Sequence, residues 1–321
     1  MTSQRAPLPV SYFSMAVGVL ALANAWRVAV RLWPLPAWSA VAVGAAGLAL
    51  WLVLLGLYAH KWLRRRADAI AELQHPVQPS FLALVPVSSM LASTVLLPWS
   101  RSLAFGVLLL AVAGSLAVGA WLYGRFWQGG LKPELVTPAV YLPAVAQNFV
   151  AGTALAAFGQ PEWGTWFFGA GMLLWLALES LIVSRLATHE ALPEPLRPLL
   201  GIQLAPPVVG GVAWISLNHG VPDLFAQALL GYGLFQALLL LRLLPWIRRQ
   251  PFAPSYWAFS FGIAALPTLA MRLVEGGATG PVRWLAPAAF VAANLLIGLL
   301  ALKTLALLLR GAPAAAQPVR A

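Results

Sequence analysis

Cysteine is absent from this 321-residue chain, so disulfides, thiolate metal sites and cysteine nucleophiles are excluded. Charge is scarce: Asp, Glu, Lys and Arg make up 9% of residues, against roughly 25% in soluble domains. The four histidines, His60, His75, His189 and His219, stand apart in sequence, which gives no basis for a metal site. A phosphate-binding Walker loop, a dinucleotide fingerprint and a metal-binding helix motif are all missing. No cofactor and no enzymatic activity are therefore expected. What the chain has in excess is apolar surface: 61% hydrophobic residues and a mean hydropathy of +0.82. A water-soluble fold of this length cannot hide that much, which makes this an integral membrane protein.

A spanning helix needs about 20 apolar residues to cross a core about 30 Å thick. Ten such stretches occur, near 10–31, 37–60, 80–98, 103–127, 138–158, 163–186, 198–218, 223–246, 255–275 and 284–309. The expected organisation is a short N terminus (1–9), a ten-helix membrane domain (10–309) and a disordered tail (310–321), with no cleavable signal. Prolines divide the ten segments into two kinds. The odd-numbered ones begin just after Pro9, Pro79, Pro138, Pro198 and Pro254, at intervals of 70, 59, 60 and 56 residues. Four of these carry a second break, at Pro86, Pro143, Pro206-Pro207 and Pro267; the first has only Gly18. The stretches between, such as 224–244 and 288–309, hold no internal proline. Lipid cannot satisfy a backbone group freed by a break, so broken helices belong where protein or water surrounds them. The spacing predicts five helical hairpins in quasi-fivefold arrangement, with broken helices lining a central pore and intact ones facing lipid.

Of the 20 lysines and arginines, only Arg27, Arg31, Arg101, Arg272 and Arg283 fall on the side away from the termini. That asymmetry puts both termini in the cytoplasm. It also accounts for the formal charge of +11 without a nucleic-acid partner. The longest connection, Lys61–Pro79, is expected to hold a short surface helix beside anionic headgroups.

The broken segments carry hydroxyls and amides, Ser14, Ser88, Ser89, Thr94, Asn148 and Thr268 among them, and no Asp or Glu at mid-depth. Hydroxyls and interrupted helix ends suit a small inorganic or organic anion better than a cation; ordinary helix packing is the other reading of the same residues. Phe13, Phe81, Phe149, Phe259 and Phe261 lie in these segments too. In Tyr256–Gly262 (YWAFSFG) the aromatics stand directly before Gly262, so one of them could plug the path with Gly262 as hinge. Glu179 is the one acidic residue deep in a segment. It reads either as a proton-coupling group or as a structural partner to an arginine near the membrane edge.

PVSYFSM at 9–15, TPAVYLPAVAQNFV at 137–150, WFFGAGMLLW at 166–175, LRPLLGIQLAPP at 196–207 and YWAFSFG at 256–262 resemble the TehA family of tellurite-resistance and C4-dicarboxylate transporters, relatives of plant guard-cell slow anion channels. The resemblance covers about residues 9–305. It implies ten helices around one pore per protomer in a homotrimer, in the bacterial inner membrane, and a gating phenylalanine on the ninth helix. Phe261 matches that position, with Phe259 as runner-up. Gly18, Pro86, Pro143, Pro206, Phe13, Phe149 and Ser14 are expected to form the kinks and lining. An anion channel or facilitator is the resulting expectation; a proton-linked dicarboxylate or tellurite transporter is the alternative.

Overall fold

Ten helices long and apolar enough to cross a bilayer run through the computed structural model, which describes residues 8–75, 77–129, 133 and 136–310. Residues 1–7 and 311–321, parts of the expected N terminus and tail, lie outside the described residues, as does Lys132. The spans are Val10–Leu32, Ala37–Arg64, Gln78–Leu96, Arg101–Trp127, Pro138–Ala157, Pro161–Thr188, Glu194–Leu217, Leu224–Ile247, Pro254–Glu275 and Val282–Leu309, numbered here 1 to 10. Among the described residues there is no strand.

Burial alternates along the chain. The most apolar window is 72, 78, 83, 83 and 61% buried in spans 1, 3, 5, 7 and 9, but only 28, 22, 22, 33 and 22% in the even spans. Exposed side chains on the even spans are leucines, valines and aromatics, such as Leu110, Leu173, Leu241 and Leu295. In water that surface would drive aggregation; in a bilayer it faces acyl chains. Exposed Trp38, Trp99, Trp163, Trp166 and Trp284 crowd the end away from the termini, at interface depth.

Every odd span opens in a tight helix and relaxes into an α-helix. The 3-10 stretches are Val10–Tyr12, Gln78–Ala83, Pro138–Tyr141, Glu194–Leu204 and Pro254–Phe259. In span 5 a π turn over Leu142–Ala146 intervenes, and it contains Pro143. Proline explains three of the junctions. Pro86, Pro143, Pro206 and Pro207 sit in the first turns after the change of helix type, and each lacks the N–H that would bond back into the preceding turn. The two remaining junctions differ from the sequence expectation. In span 1 the change falls at Phe13, and Gly18 lies inside a continuous α-helix. In span 9 it falls at Ser260, ahead of Pro267. Pro245 and Pro287 lie within the even spans 8 and 10, near their ends, so internal proline is not confined to odd spans.

Packing follows the alternation. Span 1 contacts spans 3 and 9, span 3 contacts span 5, span 5 contacts span 7, and span 7 contacts span 9. Each odd span also packs against the even span that follows it. Small residues allow close approach, as is usual between membrane helices. A Cβ on Gly47 would lie 2.9 Å from Leu20 Cδ2, and one on Gly164 would lie 2.9 Å from the Gly152 carbonyl. Indole N–H groups peg the layers together: Trp51 to Ser89 at 3.1 Å, Trp26 to Asn294 at 2.8 Å and Trp257 to Thr304 at 2.8 Å.

Gly18 serves this packing rather than a kink. A Cβ there would lie 2.5 Å from Ser260 Cβ, where span 1 crosses span 9. Gly18→Ala should lower the thermal midpoint in detergent by several degrees, in line with about 1–3 kcal/mol for overpacking. The double variant Gly18→Ala/Ser260→Gly should recover most of it. Gly298→Ala, where nothing lies within 4 Å, is the neutral control. An unshifted midpoint in Gly18→Ala contradicts the packing role.

Candidate functional site

All five odd spans contribute to one cavity of about 310 Å³ that opens at the end away from the termini. Span 1 supplies Ala21, Asn24, Arg27 and Arg31; span 3 supplies Leu91 and Thr94; span 5 supplies Val150 and Thr153; span 7 supplies Val209 and Ser216; span 9 supplies Phe261, Ala265, Thr268 and Arg272. Phe261 is the deepest span 9 residue of this vestibule and is only 9% exposed. A second cavity, of about 600 Å³, lies at the end shared with the N terminus and reaches Ser14, Phe81, Leu199 and Ala258. Ala258, which lines the second cavity, precedes Phe261, which lines the first, by three residues of span 9.

The hydroxyls around the vestibule do not offer their protons to it. Thr94 donates to the Leu91 carbonyl at 2.7 Å, Thr153 to Phe149 at 3.0 Å, Ser216 to Val212 at 2.7 Å and Thr268 to Ala264 at 2.7 Å. A hydroxyl has one proton, and in a helix the carbonyl one turn back takes it. Ser88, Ser89 and Ser14 are bonded the same way. Donors suited to an anion come instead from guanidinium groups. Arg27 Nη1 donates to the Thr94 carbonyl at 2.6 Å, one of the five N–H groups it carries. Arg31 is paired with Glu275 at 2.6 Å, while Arg272 Nε stands 3.6 Å from the same carboxylate. Three arginines against one glutamate leave the vestibule wall net positive. Charge counting along the sequence assigned these arginines to topology alone.

The cavity at the opposite end is lined by both signs of charge, Lys61, Asp68, Glu72 and His75 among them. Lys61 is buried and bonded to Glu72 at 2.9 Å, and Glu72 also accepts from the Val10 amide at 2.8 Å. Glu72 belongs to the expected surface helix, found at Arg66–Gln74, so this pair ties that helix to spans 1 and 2. Burial, against the pull of Glu72, holds the His75 imidazole below its ordinary value. Its Nδ1 accepts from the amides of Val77 and Gln78, as a neutral ring can. Lysine and histidine at this mouth therefore add little positive field.

Phe259 and Phe261 stand roughly 200° apart on their helix, and their surroundings differ accordingly. The Phe259 ring lies against span 7, where a Cβ on Gly201 would come within 2.5 Å of it. A Cβ on Gly262 would lie 2.8 Å from Leu204 Cβ and 3.0 Å from the Ala205 amide, so the glycine lets spans 7 and 9 touch at the junction of span 7. Phe13 and Phe149, expected as lining, turn outward. Phe13 meets Tyr58 of span 2 edge-on at 5.8 Å, and Phe149 meets Phe168 of span 6 at 5.6 Å. Pro86 Cβ lies toward span 4 at Gly114, the Pro143 carbonyl approaches Gly119 of the same span, and Pro206 is buried in its helix. Ser14 does line a cavity, the one at the N-terminal end.

Glu179, on span 6, is held by neutral donors from three spans. Tyr141 of span 5 donates to Oε2, as does Trp175 Nε1 at 3.0 Å. Tyr232 and Gln236 of span 8 reach Oε1 at 2.7 and 3.4 Å. These donors are far apart in sequence, and only the packing of spans 5, 6 and 8 assembles them.

The family model for the SLAC1 voltage-dependent anion channels matches residues 7–305. The chain is 36% identical over 306 residues to a tellurite resistance protein TehA homolog of Haemophilus influenzae, covering 95% of this chain and 92% of that protein. It is 26% identical to the S-type anion channel SLAH3 of Arabidopsis thaliana, over 81% of this chain and 42% of that one. An uncharacterized transporter of Methanocaldococcus jannaschii is 26% identical, over 72% of this chain and 74% of that protein.

Removing one acceptor oxygen at position 179 should cost stability rather than transport. Glu179→Gln turns one acceptor into a donor facing donors, which weakens charge-assisted bonds of about 1.5–3 kcal/mol each. The expected result is a thermal midpoint lowered by several degrees, with anion flux retained in the folded fraction. A well-folded Glu179→Gln protein without flux contradicts this assignment.

Proposed function

The chain belongs to the SLAC1 voltage-dependent anion channel family, multi-pass membrane proteins that carry anions, and from that premise we propose that it conducts small anions passively along an axis encircled by its five odd spans. Phe261 closes the path, and the arginines of the vestibule gather anions above it. The reading rests chiefly on one observation: Phe261 lies at the inner limit of a cavity to which spans 1, 3, 5, 7 and 9 all contribute.

The cyclic order of contacts among the odd spans supports five hairpins in quasi-fivefold arrangement around that axis. Gly262 is the hinge in this reading. Its close contact with span 7 means that the ring swings by rotation of span 9 about that contact, not by bending away from it. Arg27 and Arg272 supply the long-range attraction. In a narrow, low-dielectric vestibule such charges raise the local concentration of anions, and their hydrogen bonds replace part of the ion's water. No Asp or Glu is among the residues lining the vestibule, and the Glu179 carboxylate is enclosed by its own donors at the outer layer. That favours flow down a gradient over proton-coupled transport. The lysine and arginine asymmetry supports cytoplasmic termini in the inner membrane, and the resemblance supports a homotrimer with one path per protomer.

Phe261→Ala should raise anion conductance at least severalfold in planar bilayers, and unchanged current at matched protein would contradict the gate. In that open background, Arg27→Gln/Arg272→Gln should lower conductance severalfold at low salt and much less at high salt, because salt entering the open vestibule screens charge within about 10 Å at 0.1 M. Equal loss at both ionic strengths contradicts an electrostatic role. Obligatory proton movement with anion flux in liposomes would replace the passive reading with a coupled one.

A further inference from the structure

Span 9 packs against both span 8 and span 10, and between these two lies a groove of about 470 Å³ that is separate from the vestibule. Its walls are apolar over most of their length: Leu240, Leu241 and Leu244 from span 8, Ile263 and Leu266 from span 9, Leu296 and Leu299 from span 10. Along span 10 it runs from Ala289 to Lys303, about 21 Å of helix at 1.5 Å per residue. That exceeds the roughly 15 Å of hydrocarbon in one leaflet. Only the end nearest the termini is polar. There Arg248 and Lys303 line the groove, both exposed, together with Gln250, whose Nε2 is buried without a hydrogen-bond partner. No Asp or Glu is among the lining residues.

We propose that this groove binds one acidic phospholipid of the leaflet on the terminal side, with an acyl chain between spans 8 and 10 and its phosphate on Arg248 and Lys303. The charge pattern selects the occupant. Two cations at headgroup depth, with no acid beside them, match a phosphodiester, and a leucine-lined channel one leaflet deep matches its chain. A zwitterionic lipid would bring its own cation to the same spot. The lipid would lie against the back of the gate helix. Phe259 and Ile263 form part of the groove wall, and Phe261 points the other way, into the vestibule. Filling the groove therefore stiffens span 9 beside Gly262. This last consequence rests on the Phe261 gate proposed above; the binding itself does not.

The test counts bound lipid on the whole purified protein by native mass spectrometry. It is titrated with phosphatidylglycerol, chain-matched phosphatidylcholine or inorganic phosphate, and thermal midpoints are recorded in parallel. One phosphatidylglycerol per chain should be retained about tenfold more tightly than phosphatidylcholine. Arg248→Gln/Lys303→Gln should remove that preference, and both side chains are exposed enough to be replaced without unfolding. Ala292→Trp, at an exposed lining position, should exclude both lipids while leaving the charges in place. Equal retention of the two lipids, stabilisation by phosphate alone, or unchanged binding in Ala292→Trp would each overturn the proposal. So would cysteine cross-linking between copies through Leu241, which would make the groove a protomer contact. In liposomes, phosphatidylglycerol should change the flux of the native protein and not that of Phe261→Ala. Lipid counting stands apart from that result, so a failed gate and a failed lipid site give different outcomes.

Discussion

Hydrocarbon offers no hydrogen bonds, and that constraint orders the whole molecule. A helix that changes type distorts its backbone bonds at the junction, and loses one wherever a proline stands there. Five of the ten spans do so, and these are the five with most of their surface buried. The even spans are uninterrupted α-helices and carry the apolar surface that meets lipid. The intact layer is held by close glycine contacts and by indole bonds to Ser89, Asn294 and Thr304, which are among the few polar links available where water is absent.

The same constraint governs polar side chains. The serine and threonines that line the vestibule give their protons to carbonyls of their own helix, which leaves the guanidiniums in charge of its electrostatics. Glu179 shows the complementary solution, an acid enclosed by phenol, indole and amide groups contributed by neighbouring helices. At the other mouth, Glu72 and Lys61 answer each other. These charges are surrounded by donors, paired, or placed at a cavity.

Much of the fold was legible in the sequence because proline acts locally. Entry prolines marked four of the odd spans, while Pro198 lies inside the opening helix of span 7, and the spans found match the expected ones to within a few residues. Side-chain direction was far less legible. An apolar ring on an inner helix can point to the axis or to the outer layer, and composition does not distinguish them; Phe13 and Phe149 turned outward for that reason. Gly18 stood where a break was expected, yet a membrane helix accepts glycine for contact as readily as for bending, and Ser260 made it a contact. Phe261 and Phe259 looked alike in sequence; the resemblance ranked them, and the structure adds opposite faces. The partners of Glu179 were beyond reach, since they lie 38 and 53 residues away on other spans. Arg27 and Arg272 were visible, but counting loop charges treated them as orientation signals and missed that both line the vestibule.

The junction in each odd span has a mechanical meaning. A 3-10 helix advances about 2.0 Å and turns about 120° per residue, an α-helix about 1.5 Å and 100°. Each residue that crosses from one form to the other thus withdraws everything beyond it by about 0.5 Å and rotates it by about 20°, like a screw taken in by a fraction of its thread. The Phe259–Ser260 boundary of span 9 lies immediately before Phe261. Moving that boundary by two residues would turn the ring by about 40° while the backbone keeps a ladder of hydrogen bonds throughout, so the bilayer would have no unmet amide to object to.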